Sequence, residues 1–208
     1  MAYRDFTLED LLIKFGISNK TIPLFEDVQL DTLSASDWLK KSLSIGKKLR
    51  LRTEKGKSES IVMPILFELK DKNDDFLTIY SGEMLNVDRN LGINGECDFL
   101  LAQNTNSIGI NSPIISVVEA KRGELEAGIE QCAAQMYGVL LFNQKTNNPI
   151  DVVYGCVTNG REWQFMKLEN KQLFADEEIY TLKELPTILG IFQHIIDYYK
   201  AILEPVEA

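Results

Sequence analysis

The chain has 208 residues, 45% of them hydrophobic and 25% charged, and a formal net charge of −9. That length accommodates one well-buried domain with or without an appended subdomain and excludes two full-sized ones; the composition is that of an ordinary globular protein, and no apolar run reaches the roughly 18 residues of a membrane span. The acidic balance disfavours strong indiscriminate attraction to a polyanion, because phosphate binding rests on clustered lysine and arginine.

The opening Met1-Ala2-Tyr3-Arg4-Asp5-Phe6 carries an acid early and no apolar run behind its arginine, so it does not read as a secretory signal, and a cytoplasmic address is expected. Thr7 to Ile13 reads as a capped helix ending near Gly16, and Ser34 to Leu43 as a second helix around Trp38. Together they predict a helical extension over residues 1–57. Its last part is basic: Lys40, Lys41, Lys47, Lys48, Arg50, Arg52, Lys55 and Lys57 stand against the single acid Glu54, about +7 by simple counting, which leaves about −16 for the remainder. Lys47, Lys48, Arg50 and Arg52 are therefore candidates for contacting a nucleic-acid backbone, with a solvated helix end as the bland alternative.

Ser58 to Lys70 has helical apolar spacing at Ile61, Ile65, Leu66 and Leu69, with Pro64 either in the first turn or kinking the helix. Strand-like runs follow at Phe76 to Tyr80, with Met84 to Val87 close behind, then at Glu96 to Ala102 and Ile114 to Lys121. A helix is expected from Glu124 to about Gln144, its stripe of Leu125, Ile129, Cys132, Ala133, Met136 and Leu140 recurring at about 3.6 residues. Val152 to Thr158 and Glu162 to Lys167 form a hairpin through Asn159-Gly160, a strong turn signal. Thr181-Leu182-Lys183-Glu184 is a capping-box pattern that opens a long helix through Ile202, whose apolar face predicts core packing first and self-association second. The whole reads as a mixed α/β protein with helices around one central sheet: 58–168 the core, 169–208 a helical C-terminal segment. Cys97, Cys132 and Cys156, odd in number and without CxxC spacing, read as small buried apolar residues, and His194, with no second histidine, as structural. A glycine-rich phosphate loop of the nucleotide-driven motors is absent.

Chemistry concentrates at the end of one strand. In Ile115-Ser116-Val117-Val118-Glu119-Ala120-Lys121, the strand period puts Glu119 and Lys121 on the face of Ile115 and Val117, so two charges continue an apolar row. Burying unpaired charge is costly, and such a placement signals pairing, a metal or a site. Asp98 lies among apolar residues in Gly95-Glu96-Cys97-Asp98-Phe99-Leu100, and pairing of the two strands would bring it beside Glu119. Two carboxylates and an ammonium suit phosphodiester hydrolysis: the acids hold a hard cation such as Mg²⁺, and Lys121 orients or helps deprotonate water and neutralises developing charge. The bare E-x-K spacing occurs three times, at Glu68/Lys70, Glu119/Lys121 and Glu169/Lys171, and only the middle one ends an apolar strand and precedes an amphipathic helix. On that helix Gly128, Gln131, Gln135 and Gly138 share a face.

These residues resemble the PD-(D/E)XK nuclease superfamily, over about Ser58 to Lys167, and within it small cyanobacterial-type proteins and the N-terminal domains of type I restriction enzyme R subunits. The resemblance implies a restriction-endonuclease-like α/β/α core and assigns Glu59, Asp98 and Glu119 to the metal, Mg²⁺ or Mn²⁺, and Asp98, Glu119, Lys121 and Gln131 to catalysis. Thr158-Asn159-Gly160-Arg161-Glu162-Trp163 matches the hairpin closing that core. No proline precedes Asp98, and Tyr137 follows Gln135 by two residues rather than four. The expected function is metal-dependent DNA cleavage, with RNA left open. The acidic balance favours the alternative of a catalytically inactive nucleic-acid-binding or protein-interaction domain, or else a second copy or partner protein that supplies DNA affinity.

Overall fold

The computed structural model describes residues 1–50, 53–105, 109–110, 113–121, 123–148 and 150–204. Local chemistry sets the element boundaries. The Thr7 hydroxyl accepts the Asp10 N–H at 3.1 Å and a left-handed Gly16 closes the other end, which fixes helix α1 at Leu8–Phe15. Strand β1, Ser18–Ile22, follows, an element absent from the expected helical extension. Its middle residues are exposed and polar, so it lacks the alternation that marks a half-buried strand. Ser36 caps helix α2 (Asp37–Gly46), and Thr53 caps the single turn α3 (Glu54–Lys57).

From α3 the chain runs through a π turn, Ser58–Val62, directly into helix α4, Met63–Lys72. Pro64 has no N–H to offer the preceding turn; the backbone widens and Met63 N–H donates to the carbonyl of Ser58, five residues back. The proline is thereby absorbed within continuous helical backbone.

Then come β2 (Leu77–Met84), β3 (Glu96–Gln103), β4 (Ile114–Ala120), helix α5 (Glu126–Lys145), β5 (Val152–Thr158), β6 (Glu162–Glu169), β7 (Gln172–Asp176), β8 (Tyr180–Thr181) and helix α6, Leu185–Leu203. Two expectations are corrected here. The first of the two strand-like runs expected between Phe76 and Val87 extends without a break from Leu77 to Met84 as one strand, β2, in antiparallel register with β3 from Leu77 opposite Gln103 to Met84 opposite Glu96, and residues 85–87 lie beyond its end. The segment after residue 168 is also not purely helical: Asn170 and Lys171 both take positive φ, 49° and 60°, and turn the chain back so that β7 pairs with β6. Two consecutive left-handed residues make the primed hairpin turn, but Asn-Lys lacks the glycine that usually announces it.

The sheet order is β1-β7-β6-β5-β4-β3-β2, with β8 beside β6; β1/β7 and β4/β5 are parallel and the other pairs antiparallel. Adjacent residues of β5 face opposite layers. Gly155 lies against Met136 and Cys132 of α5, whereas the Tyr154 ring meets Tyr199 of α6 edge-on at 6.2 Å. Helices therefore cover both faces of a mixed sheet, as the α/β reading expects. Parallel β4 and β5 are joined by α5, the connection that parallel neighbours require. All residues of both strands are buried, which explains their continuous Val/Ile/Tyr-rich sequences. The three cysteines are free and buried, and His194 stacks edge-on against Phe25. Among the described residues no helix is long and apolar enough to cross a membrane.

On the α6 side Phe192 is fully buried, edge-on to both Phe165 (5.1 Å) and Trp163 (6.1 Å). Phe192→Ala is expected to lower stability by about 3–5 kcal/mol, seen as a reduced denaturant midpoint with an unchanged slope.

Candidate functional site

Pairing of β3 with β4 sets Phe99 opposite Val118, so the next step along each strand brings Asp98 to Glu119 and Ala120. The Asp98 carboxylate is fixed there: its Oδ2 accepts the Ala120 N–H at 2.7 Å. On the other side of β4, Lys121 N–H donates to the Thr158 carbonyl at 2.7 Å, carrying the β4/β5 ladder one residue past the strand and holding Lys121 on the face of Glu119.

Helix α5 completes the set. Lys121 Nζ donates to Glu119 Oε1 (2.7 Å) and to Gln131 Oε1 (2.8 Å), and Gln135 Nε2 donates to Glu119 Oε2 (2.8 Å). Gly128 makes the approach possible: a Cβ there would collide with Val157 and lie 2.9 Å from Lys121 Cγ. Glu119 is 1% exposed and Gln135 fully buried. Both glutamines thus face the charged pair, and Gln135, which the sequence marks only as sharing the helix face, is the amide that grips Glu119.

Asp98, Glu119, Lys121 and Gln131 line one cavity of about 400 Å³, joined by Glu54, Glu96 and Arg4. Arg4 arrives on the N-terminal segment, which Tyr3 anchors. The Tyr3 N–H donates to Asn94 O at 3.0 Å, its hydroxyl to Leu85 O at 2.9 Å, and its ring fills the space left by Gly138 of α5. Sequence reasoning missed Arg4 and Glu54. Tyr3-Arg4 carries no motif, and Glu54 stands out only as the lone acid of a basic run.

Glu59 is not in this cavity. Its side chain is 65% exposed, 3.8 Å from Lys55, and borders an adjoining hollow that shares Glu54, Glu96 and Asp98. The acid that the helical segment delivers to the charged cluster is Glu54, one turn earlier. Lys47, Lys48 and Arg50 are exposed and none lines the cavity; Lys47 borders a separate groove against the Asn159-Gly160 hairpin. Arg52 lies outside the described residues. The other two E-x-K spacings have structural employment. Glu68 is buried and accepts from the N–H and hydroxyl of Ser36, the α2 cap, at 2.9 and 2.6 Å, while Glu169 pairs with Lys167 at 2.8 Å.

Burial drives the electrostatics. It raises Glu119 to about 7, with the charge of Asp98 adding to the rise against the opposing pull of Lys121 and Gln135. Asp98 is raised too, by burial first and by Glu54 and Glu96, against the Ala120 hydrogen bond and the Lys121 charge. For Lys121, burial acts to lower the ammonium's pKa, but Glu119, with Glu54 and Asp98, outweighs it and the net shift is upward. The acidic neighbours thus favour the charged form of Lys121. Among the described residues no three His, Cys, Asp or Glu side chains form a ready metal cage; the carboxylates placed to share a cation are Asp98 and Glu119. In comparisons with known proteins, no protein-family model and no curated protein matches the chain.

A carboxyl whose folded pKa lies above its unfolded value binds its proton better in the native state, so its stabilising effect is present at low pH and lost as pH rises through the folded value. With chelator present, the melting temperature is expected to fall as pH rises from about 4.5 to beyond about 7. Glu119→Gln should flatten that part of the profile, and an unchanged slope in thermal melts across the range would contradict the assignment.

Proposed function

We propose that the protein is a metal-dependent nuclease of the PD-(D/E)XK type that hydrolyses phosphodiester bonds of DNA. The observation that carries this reading is the meeting of Asp98, Glu119 and the Lys121 ammonium at one cavity, where burial and neighbouring acids keep the two carboxylates short of the neutralising charge they need. A divalent cation meets that need, and Mg²⁺ in particular binds through one or two carboxylates plus waters and substrate phosphate. The donor set fits such an ion. Asp98 and Glu119 would hold it, and when bound it would polarise the phosphate and acidify a coordinated water.

The chain's own residues supply the rest. Lys121, which its acidic neighbours favour as an ammonium, orients the attacking water and neutralises charge gathering on the phosphate. Gln131 holds the Lys121 amine, Gln135 holds Glu119, and the Ala120 N–H holds Asp98. Each reacting group therefore has a dedicated support, the preorganisation that such electrostatic catalysis requires. Among the described residues, Arg4 and Lys121 are the cations of the cavity available to a phosphate.

One observation favours the second reading, a catalytically inactive binding or interaction domain: the Lys121 ammonium already bonds Glu119 at 2.7 Å, neutralising part of the acid charge without a metal.

Cleavage assays separate the two. With plasmid, single strands and RNA in Mg²⁺ or Mn²⁺, Asp98→Ala and Lys121→Ala are each expected to lose at least about 100-fold in rate. Glu54→Gln should lower activity more than Glu59→Gln. Cutting that persists undiminished in both alanine variants rules the nuclease reading out. Metal linkage is an independent check: Mg²⁺ should raise the melting temperature more at pH 8 than at pH 5, because the ion competes with protons for the same carboxylates. Asp98→Ala should abolish that difference.

A further inference from the structure

Apart from the acidic cavity, the chain builds a second, oppositely charged concavity. A groove of about 530 Å³ is lined, among the described residues, by Lys47, Lys57, Arg161 and Lys183 against one acid, Glu162. Its cations come from four places: the residue after α2, the end of α3, the β5–β6 turn and the turn before α6. Among the described residues, Lys47, Arg161 and Lys183 make no ion pair, and Glu162 is engaged by Asn159 Nδ2 at 2.8 Å. In a chain of net charge −9, gathering those three cations from remote segments is a placement that a bound polyanion would offset.

The frame under these charges is rigid. Asn159 Oδ1 accepts the N–H groups of Arg161 and Glu162, each at 3.0 Å, and Gly160 N–H donates to the Thr158 hydroxyl at 2.9 Å. Leu182 N–H donates to Arg161 O at 2.7 Å, tying the two turns together, and Glu184 caps Thr181. The side-chain ends thus project from a preformed rim, and little ordering of backbone is left for binding.

The groove adjoins the acidic site. On the single turn of α3, Glu54 lines the acidic cavity and Lys57 the basic groove. Asn159 Nδ2 donates to the carbonyl of Gly123, two residues beyond Lys121, at 3.1 Å. We infer that this groove seats the sugar-phosphate backbone of duplex DNA, through contacts of Lys47, Arg161 and Lys183 with phosphates, and leads the strand to the Asp98–Glu119–Lys121 cavity. The inference rests on the nuclease reading for the identity of its occupant. The contacts are to the backbone, so the groove supplies affinity and direction without base sequence.

The test uses the full chain and a short fluorescent duplex in chelating buffer, with binding followed by anisotropy over a salt series. Arg161→Glu/Lys183→Glu is compared with Lys20→Glu/Arg89→Glu, which changes net charge equally at positions away from the groove. The groove variant is expected to weaken binding by about tenfold or more and to flatten the dependence of log affinity on log salt by about two, one for each phosphate no longer neutralised. The control should keep the wild-type slope. Equal weakening in the two variants, displacement of the duplex as readily by polyglutamate as by unlabelled DNA, or no wild-type binding at low salt overturns the inference. The same duplex with Mg²⁺ judges the nuclease reading separately. Binding that depends on the groove without cutting that depends on Lys121 leaves the groove standing and removes the nuclease. Lys121-dependent cutting with groove-insensitive binding does the reverse.

Discussion

A carboxylate almost sealed from water, Glu119, is the constraint around which the rest is arranged. It occupies a strand whose seven residues are all buried, so its charge has to be met from within the protein. Lys121, just past the end of the same strand, meets one oxygen and Gln135 the other; α5 lies close enough to β4 and β5 for Gln135 to reach Glu119 and for Gln131 to hold Lys121. Stability alone does not explain the arrangement. Exchanging a buried ion pair for apolar residues of similar volume is often neutral or favourable by about 1–4 kcal/mol, and the apolar residues beside Glu119 on its strand already suit that exchange. The charges stand at the end of β4, where the sheet opens onto the cavity.

The parts of the fold legible in the sequence are those whose signals are local. Thr7 and Gly16 bracket α1 by capping, the Asn159-Gly160 pair announces the β5–β6 hairpin, and the long apolar stripes mark α5 and α6. The charged pair on β4 is readable because a period of about two residues is a strong rule for side-chain direction, and Asp98 because antiparallel neighbours need only a connecting loop. What escapes depends on partners distant in sequence. β1 pairs with β7, more than a hundred residues away, and its exposed polar residues give no hint of it. Asn170-Lys171 adopts a turn that glycine normally signals, so β7 reads in sequence as part of a helical tail.

Around the cavity the same division holds. Gln131 is assigned by resemblance and lies on Lys121, whereas Gln135, one helical turn on, makes the more deeply buried contact. Arg4 reaches the cavity only because Tyr3 is locked into the space beside Gly138, a tertiary event with no signature in Tyr3-Arg4 itself. The basic run between residues 40 and 57 shows why net charge along a sequence is an imperfect guide to a surface. Lys40 and Lys55 are taken up by Asp37 and Glu59, while Lys47 and Lys57 join Arg161 and Lys183 from far downstream.

The π turn between α3 and α4 bears on how the acidic residues before it are aimed. Each residue of an α-helix advances the side-chain direction by about 100°, so the widened turn resets the angular phase of everything upstream of Ser58 relative to α4. A helical wheel drawn without interruption from Glu54 to Lys72 would misplace Glu54 by about that angle. In this protein the widened turn ahead of Pro64 works as an indexing device: it sets the direction in which Glu54 meets the cavity, and any sequence change that restored regular winding there would turn that carboxylate elsewhere.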